Sequence, residues 1–148
     1  MRRQQWIDAT IDSISKRGFS DTTLATVTKG AKLSHGIVNF HFDSKVSLYV
    51  EVLGFLAQEH YDRWHGAMSD ARPALEDQLI AIIDADFDRN VCSPKKLAVW
   101  FALWGQAKYR PNYLKIHSKF DDERYGEIYR YIPGLSPPDR MRIFPRRQ

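Results

Sequence analysis

Cysteine occurs once in these 148 residues, as Cys92. One thiol excludes an internal disulfide framework and any zinc site built on cysteines alone, and it suits a reducing cytosol. Long apolar runs are missing as well: no stretch approaches the roughly 18 apolar residues of a membrane-spanning helix. The opening MRRQQWIDAT has two arginines, reaches Asp8 at once and lacks the apolar core of a signal peptide. A cytoplasmic protein with no membrane partner is the expectation. Catalytic motifs are absent too, since the chain carries no HExxH, no phosphate-cradling glycine-rich loop and no GxSxG. The five histidines, His35, His41, His60, His65 and His117, are scattered. His60 and His65, with Asp62 between them, are five residues apart, which puts the two rings on different faces of a helix. No catalytic residue, metal or cofactor is expected, and the chain does not read as an enzyme.

At 43% hydrophobic and 27% charged, the chain has the make-up of a globular protein. The net charge of +4 hides a segregation. Residues 1–50 carry 7 basic and 4 acidic side chains, residues 51–90 carry 3 and 9, and residues 91–148 carry 12 and 5. These give +3, −6 and +7, and such segments bear on partners more than on fold.

The apolar pattern is helical almost throughout, with no convincing strand alternation, hairpin signal or internal repeat. Ile7, Ile11 and Ile14 form one stripe on a first helix, which Gly18 is placed to end. Thr23 caps a short second helix with Leu24 and Val27 inward, and Ser34 opens a third over 34–42. Asp43 or Ser44 then caps a longer helix to about Met68, with Leu48, Val52, Phe55 and Leu56 on one side. After Pro73 a helix over about 74–90 buries Leu79, Ile82, Ile83 and Phe87. Ser93-Pro94 starts another, to about Lys108, and a last helix spans about 112–131. The closing PPDRMRIFPRRQ has three prolines, four arginines and no apolar period, so 133–148 reads as a mobile tail.

Two short capped helices joined by a tight turn, inside a basic segment, make a helix-turn-helix pattern. Such a motif sets the N-terminal end of its second helix in the major groove of DNA. Leu24, Val27 and Ala31 are small or apolar enough for steep packing, and Leu33 can plug the turn. Ser34 can cap the recognition helix and meet a phosphate. His35, Gly36, Asn39 and His41 are the candidate exposed positions. The pattern alone fits short surface helices of a bundle equally well.

The stretch GFSDTTLATVTKGAKLSHGIVNFHFDSKVSLYVEVL resembles the signature of the TetR family of bacterial one-component regulators. The resemblance covers about residues 4–53. It lies in Gly18 ending the first helix, Thr23 capping the second, Val27 and Ala31 inside it, Ser34 opening the third, the trio Phe40, His41, Phe42, and Lys45 followed by Leu48. It implies an all-α fold: a three-helix DNA-binding head over 1–48, then a helical effector-binding and dimerisation domain over 49–132. It implies double-stranded operator DNA as partner and Thr23, Lys32, Ser34, His35, Gly36, Asn39, His41 and Lys45 as its contacts. His41 has an equal alternative as a packing residue, and Phe40 and Phe42 fit the core. Three positions depart from the pattern. Lys32 stands where the family has glycine, costing about 1 kcal/mol if the site needs a positive φ and adding a cation near the phosphates. Asn39 replaces a tyrosine and could contact a phosphate or pair with adenine. Gly30 weakens the second helix by up to about 1 kcal/mol.

In the second half, Trp100 and Trp104 share a helix face, with Leu97 and Phe101 beside them, and Asp84, Asp86 and Asp88 precede them. Aromatic faces with a carboxylate can hold a quaternary ammonium through the ring quadrupoles. Equally, two tryptophans at this spacing are ordinary core and the aspartates a solvated face. The runs RRQQWIDATIDSI, SHGIVNFHF, DFDRN, AVWFALWGQA and YRPNYLKIHS are similar to the choline-responsive repressors of this family, over about residues 2–120. That similarity implies repression of choline-uptake and glycine-betaine synthesis genes, relieved by a small choline-like cation. Phe87, Trp100, Trp104 and Asp86 are the candidate effector contacts. Beyond about Lys119 the similarity fades by inspection, and the family's last two helices, which build its dimer interface, are expected to be missing. A homodimer is then expected only if enough interface survives. Two rivals stay open: a helical interaction module that binds no DNA, and the same head governed by a different effector, such as a hydrophobic drug-like cation.

Overall fold

The computed structural model describes residues 2–32, 42 and 44–131, and every element among them is helical. The order is α1 (Arg2–Asp21), α2 (Leu24–Ala31), α3 (Lys45–Asp70), α4 (Leu75–Asp86), α5 (Pro94–Ala107) and α6 (Pro111–Tyr131). The third head helix expected over 34–42 lies outside the described residues, Phe42 apart, as does the segment 133–148.

Local chemistry explains most boundaries. Gly18 breaks α1 with φ 82° and ψ 173°, a conformation a Cβ would disfavour. A short turn resumes after it, held by the Thr22 hydroxyl donating to the Gly18 carbonyl at 2.9 Å. Thr23 caps α2 in a reciprocal box: its Oγ1 accepts from the Thr26 amide at 3.1 Å, and Thr26 Oγ1 accepts from the Thr23 amide at 2.9 Å. Ser44 and Ser47 repeat that box at the start of α3, both bonds at 3.1 Å. Ser93 caps α5 with Pro94 in the first turn.

Helix α4 departs from its expected form. It ends at Asp86 instead of continuing to about residue 90, because Asp88 redirects the backbone. The Asp88 carboxylate accepts from the Asn90 amide at 2.8 Å, and its carbonyl accepts from Val91 and Cys92 at 3.0 and 2.7 Å. A side chain that satisfies a nearby amide competes with the helical ladder. The buried face is narrower than the periodicity implies: Ile82 and Ala85 pack against Trp64 and Met68 of α3, but Ile83 and Phe87 are exposed, Phe87 at 74%.

Helix α1 belongs to two cores at once. Ile7, Ile11 and Ile14 join Tyr49, Val52, Leu53 and Leu56 of α3, Val99 and Leu103 of α5, and Tyr113 of α6. Trp6 and Ala9, one step around the helix, join Val27, Phe42 and Leu48 in the head. Trp6 and Phe42 meet edge to face, 6.2 Å between centroids. Hydroxyls finish the joint between α1 and α2: Ser13 lies 3.1 Å from Thr22 and 3.2 Å from Thr26. Where α1 meets α3, the Tyr49 hydroxyl reaches the Phe19 and Thr22 carbonyls, both at 3.2 Å. The Tyr113 hydroxyl is buried without a partner among the described residues.

These two tyrosines should respond oppositely to loss of the hydroxyl. Tyr49→Phe removes the hydroxyl donor of the Thr22 carbonyl and one of two side-chain donors to the Phe19 carbonyl, and is expected to cost about 1–2 kcal/mol in urea unfolding. Tyr113→Phe removes an unsatisfied group and is expected to be neutral or slightly stabilising. Equal losses for both would contradict the packing described.

Candidate DNA-binding head and effector site

The head presents its cations at the ends of helices. Lys32 is the C-cap of α2 in the left-handed region, φ 55° and ψ 36°, and its amide bonds the Lys29 carbonyl at 3.3 Å. The substitution of lysine at a position suited to glycine therefore carries the strain anticipated from the sequence. Its side chain is exposed, as is that of Lys29. Lys45 is held more tightly. Its Nζ donates to the Phe19 carbonyl at 3.1 Å and the Ser20 carbonyl at 3.3 Å, and it lies 5.3 Å from the ring centres of Phe19 and Tyr49. Burial lowers its pKa, with Asp21 acting in the opposite sense. Lys45 thus ties the end of α1 to the start of α3, and one of its three N–H donors is left over. Thr23 is exposed and spends its hydroxyl on the α2 cap. Gly30 lies where an added Cβ would meet the Ala9 Cβ at 3.6 Å, an ordinary contact, so close helix approach does not require glycine there. Ser34, His35, Gly36, Asn39 and His41 lie outside the described residues.

The effector candidates fall into two groups. Trp100 and Trp104 come together on α5 with ring centres 5.7 Å apart, and Phe101 stands nearly perpendicular to Trp104 at 6.2 Å. His117 of α6 completes the group, 4.9 Å from Trp104 and 6.0 Å from Trp100. Its Nδ1 is 2.6 Å from Asp121 Oδ2. Asp86 is engaged elsewhere. Arg124 donates to both its oxygens, at 2.7 and 2.5 Å, and His60 Nε2 lies 2.8 Å from it. Burial alone would raise the Asp86 pKa, but hydrogen bonds from His60 and Arg124, and their charges, outweigh it and hold the carboxyl at about 2. Phe87 stands exposed at the end of α4. The structure therefore brings together two of the four candidates, Trp100 and Trp104, and joins neither Asp86 nor Phe87 to them.

Separate from both groups, a cleft of about 560 Å³ opens beside α3, its lining including Phe55, Glu59, Asp62, Arg63 and Val91. Lys96 bonds Glu59 across this region at 2.5 Å. The i, i+4 spacing of His117 and Asp121 made that pair legible before folding. The trio His60, Asp86 and Arg124 comes from three helices and left no local signal. His65 stacks on Tyr61 at 5.3 Å, so the two α3 histidines do face different ways.

A helical head packed through α1 against an all-helical body is the arrangement of a one-component regulator, and the comparisons agree. Residues 7–52 match the family described as bacterial regulatory proteins, tetR family, and residues 73–142 match the BetI-type transcriptional repressor C-terminal domain. The chain belongs to the TetR family, in its BetI-type branch. The HTH-type transcriptional regulator BetI of Burkholderia thailandensis is 32% identical over 145 residues, covering 96% of this chain and 73% of that protein. BetI of Stenotrophomonas maltophilia is 29% identical over 146 residues, covering 99% and 74%. Similarity thus continues well past Lys119, where inspection lost it, and the domain match takes in much of the Pro/Arg-rich segment. Among solved structures, a transcriptional regulator from Rhodococcus sp. Rha1 superposes with TM-score 0.73 at 19% identity, over 90% of this chain and 71% of that one. The ketosteroid transcriptional regulator KstR2 of Mycobacterium tuberculosis gives 0.71 at 17%, over 92% and 74%. At such identities the likeness speaks for the fold alone. These relatives are transcriptional regulators and not enzymes. No helix among the described residues is long and apolar enough to cross a membrane.

Two outcomes follow. Lys32→Gly relieves the left-handed strain and is expected to raise stability by about 1 kcal/mol, read as a higher denaturant midpoint. An unchanged or lower midpoint would mean the turn is not strained. Asp86 should shape acid stability. Its folded pKa lies below the unfolded value of 3.8, so its contribution is present above about pH 4 and lost as pH falls towards 2. Asp86→Asn should therefore flatten the stability profile across that window, and a parallel profile would refute the assignment.

Proposed function

We propose that this protein is a DNA-binding repressor controlling genes for choline uptake and glycine-betaine synthesis, released from its operator by a small choline-like cation. The match of residues 73–142 to the BetI-type repressor domain carries this reading, because the effector half is where regulators of one fold diverge. In the head, Ser34, His35, Gly36, Asn39 and His41 are proposed to meet the operator from the recognition segment. Lys32 adds a phosphate contact from the turn, Lys45 offers its remaining N–H donor to a phosphate, and Thr23 contributes from the cap of α2. An operator of two half-sites takes two recognition helices at fixed spacing, so a homodimer is the proposed working form. In the effector half, the faces of Trp100 and Trp104 attract the cation through their ring quadrupoles. The protein works in the cytoplasm, where its DNA and effector are.

Operator binding tests both halves. Affinity for operator DNA should fall with salt at a slope of roughly −0.9 per neutralised phosphate, and Lys32→Gly should reduce that slope by about 1. Choline should displace the protein from operator DNA, and Trp104→Ala should abolish the displacement while leaving choline-free binding intact. A flat, sequence-independent salt response would favour a helical interaction module, and displacement by a hydrophobic cation but not by choline would assign the head to another effector.

A further inference from the structure

A quaternary ammonium is attracted by aromatic faces, and a nearby negative charge not already answered by the protein strengthens the attraction. Asp86 cannot supply that charge, since Arg124 bonds both its oxygens and His60 adds a third contact. A different carboxylate, Asp121, is joined to the tryptophan face through His117. Tyr113, His117 and Asp121 recur at four-residue intervals along α6 and so share one side of that helix. Tyr113 anchors the side in the core beside Val99 and Leu103 of α5. One turn on, the His117 ring lies against Trp104 and Trp100, and one turn further Asp121 lies 2.6 Å behind His117 Nδ1. Among the described residues, no lysine or arginine lies within 4.0 Å of the Asp121 carboxylate, which pairs with His117 alone. The contact with His117 Nδ1 fixes that carboxylate in place. The aromatic group is reachable from outside, with Trp104 44% and Phe101 65% exposed. The carboxylate is 35% exposed, dry enough for its field to extend beyond a fully solvated group.

We propose that Asp121 is the counter-charge of the effector site, held by His117 beside the rings of Trp100 and Trp104, and that this site takes a small quaternary ammonium. It rests on the reading that the effector is an organic cation. A hydroxyl on the ligand is not required by this arrangement, so tetramethylammonium should occupy the same site as choline.

The test uses the full chain, tetramethylammonium chloride as probe and quenching of tryptophan fluorescence as readout, with sodium chloride as the ionic control. Saturable quenching is expected. Asp121→Asn should weaken it about tenfold, roughly what loss of one near, partly screened charge costs. Asp121→Glu should restore most of the affinity, which a merely structural role would not predict. Asp86→Asn, held at a temperature where circular dichroism shows it folded, should bind as the parent does. Absence of saturable quenching in the parent overturns the site, as does parental affinity in folded Asp121→Asn or loss of binding in folded Asp86→Asn. The two proposals fail separately. Operator release by choline that is unaltered in Asp121→Asn removes Asp121 but keeps the repressor function. Tetramethylammonium binding that depends on Asp121, with no operator release by choline, keeps the site and removes that function.

Discussion

Everything in this molecule hangs on one helix that is buried on two sides. Helix α1 gives Trp6 and Ala9 to the head and Ile7, Ile11 and Ile14 to the body, and all five side chains are at most 7% exposed. Interiors packed this closely transmit displacement, because neither side can yield without opening a void. Head and body are therefore not hung on a loose linker. Helix α5 is the neighbour that matters most for function. It sets Val99 and Leu103 against α1 and turns Trp104 outward, and its Lys95 pairs with Asp12 of α1. A ligand on the tryptophan face would bear on the same rigid element that supports α1.

The polar groups at this joint have structural work to do before any DNA arrives. Lys45 and Tyr49 both reach the Phe19 carbonyl, closing the end of α1 onto the start of α3. A cation proposed to meet a phosphate is thus partly consumed in holding the head's frame. Lys32 is the opposite case, a residue that strains the turn and leaves its charge in solvent. A local rule broken without a local gain is what a contact with a partner would explain.

The acidic middle segment looks different once folded. Of its nine carboxylates, five are paired with cations: Glu51 with Arg3, Glu59 with Lys96, Asp77 with Arg72, Asp86 with Arg124 and Asp88 with Arg63. Three of those partners, Arg3, Lys96 and Arg124, come from outside the segment. The net −6 is therefore not a reservoir waiting for a cationic ligand. Three of its carboxylates stitch α3 and α4 to α1, α5 and α6. Asp121, a carboxylate with no lysine or arginine within 4.0 Å among the described residues, sits in a segment that is basic on average.

The helices, their caps and the head pattern could be read before folding, because they depend on contacts within a few residues. Gly18, Thr23, Ser44 and Ser93-Pro94 act on their own backbone, and the Ile7, Ile11, Ile14 stripe needs only the helical period. The strain at Lys32 was legible for the same reason, since a tight turn constrains its own φ. Position within the assembly was not. Phe87 looked inward by periodicity and is exposed, because Asp88 ends the helix early. Asp86 looked like a free charge near two tryptophans and is instead bound by residues 26 and 38 positions away. Periodicity says which side chains share a face. Only the packing of helices decides what that face meets, and so which carboxylate is bound by a cation.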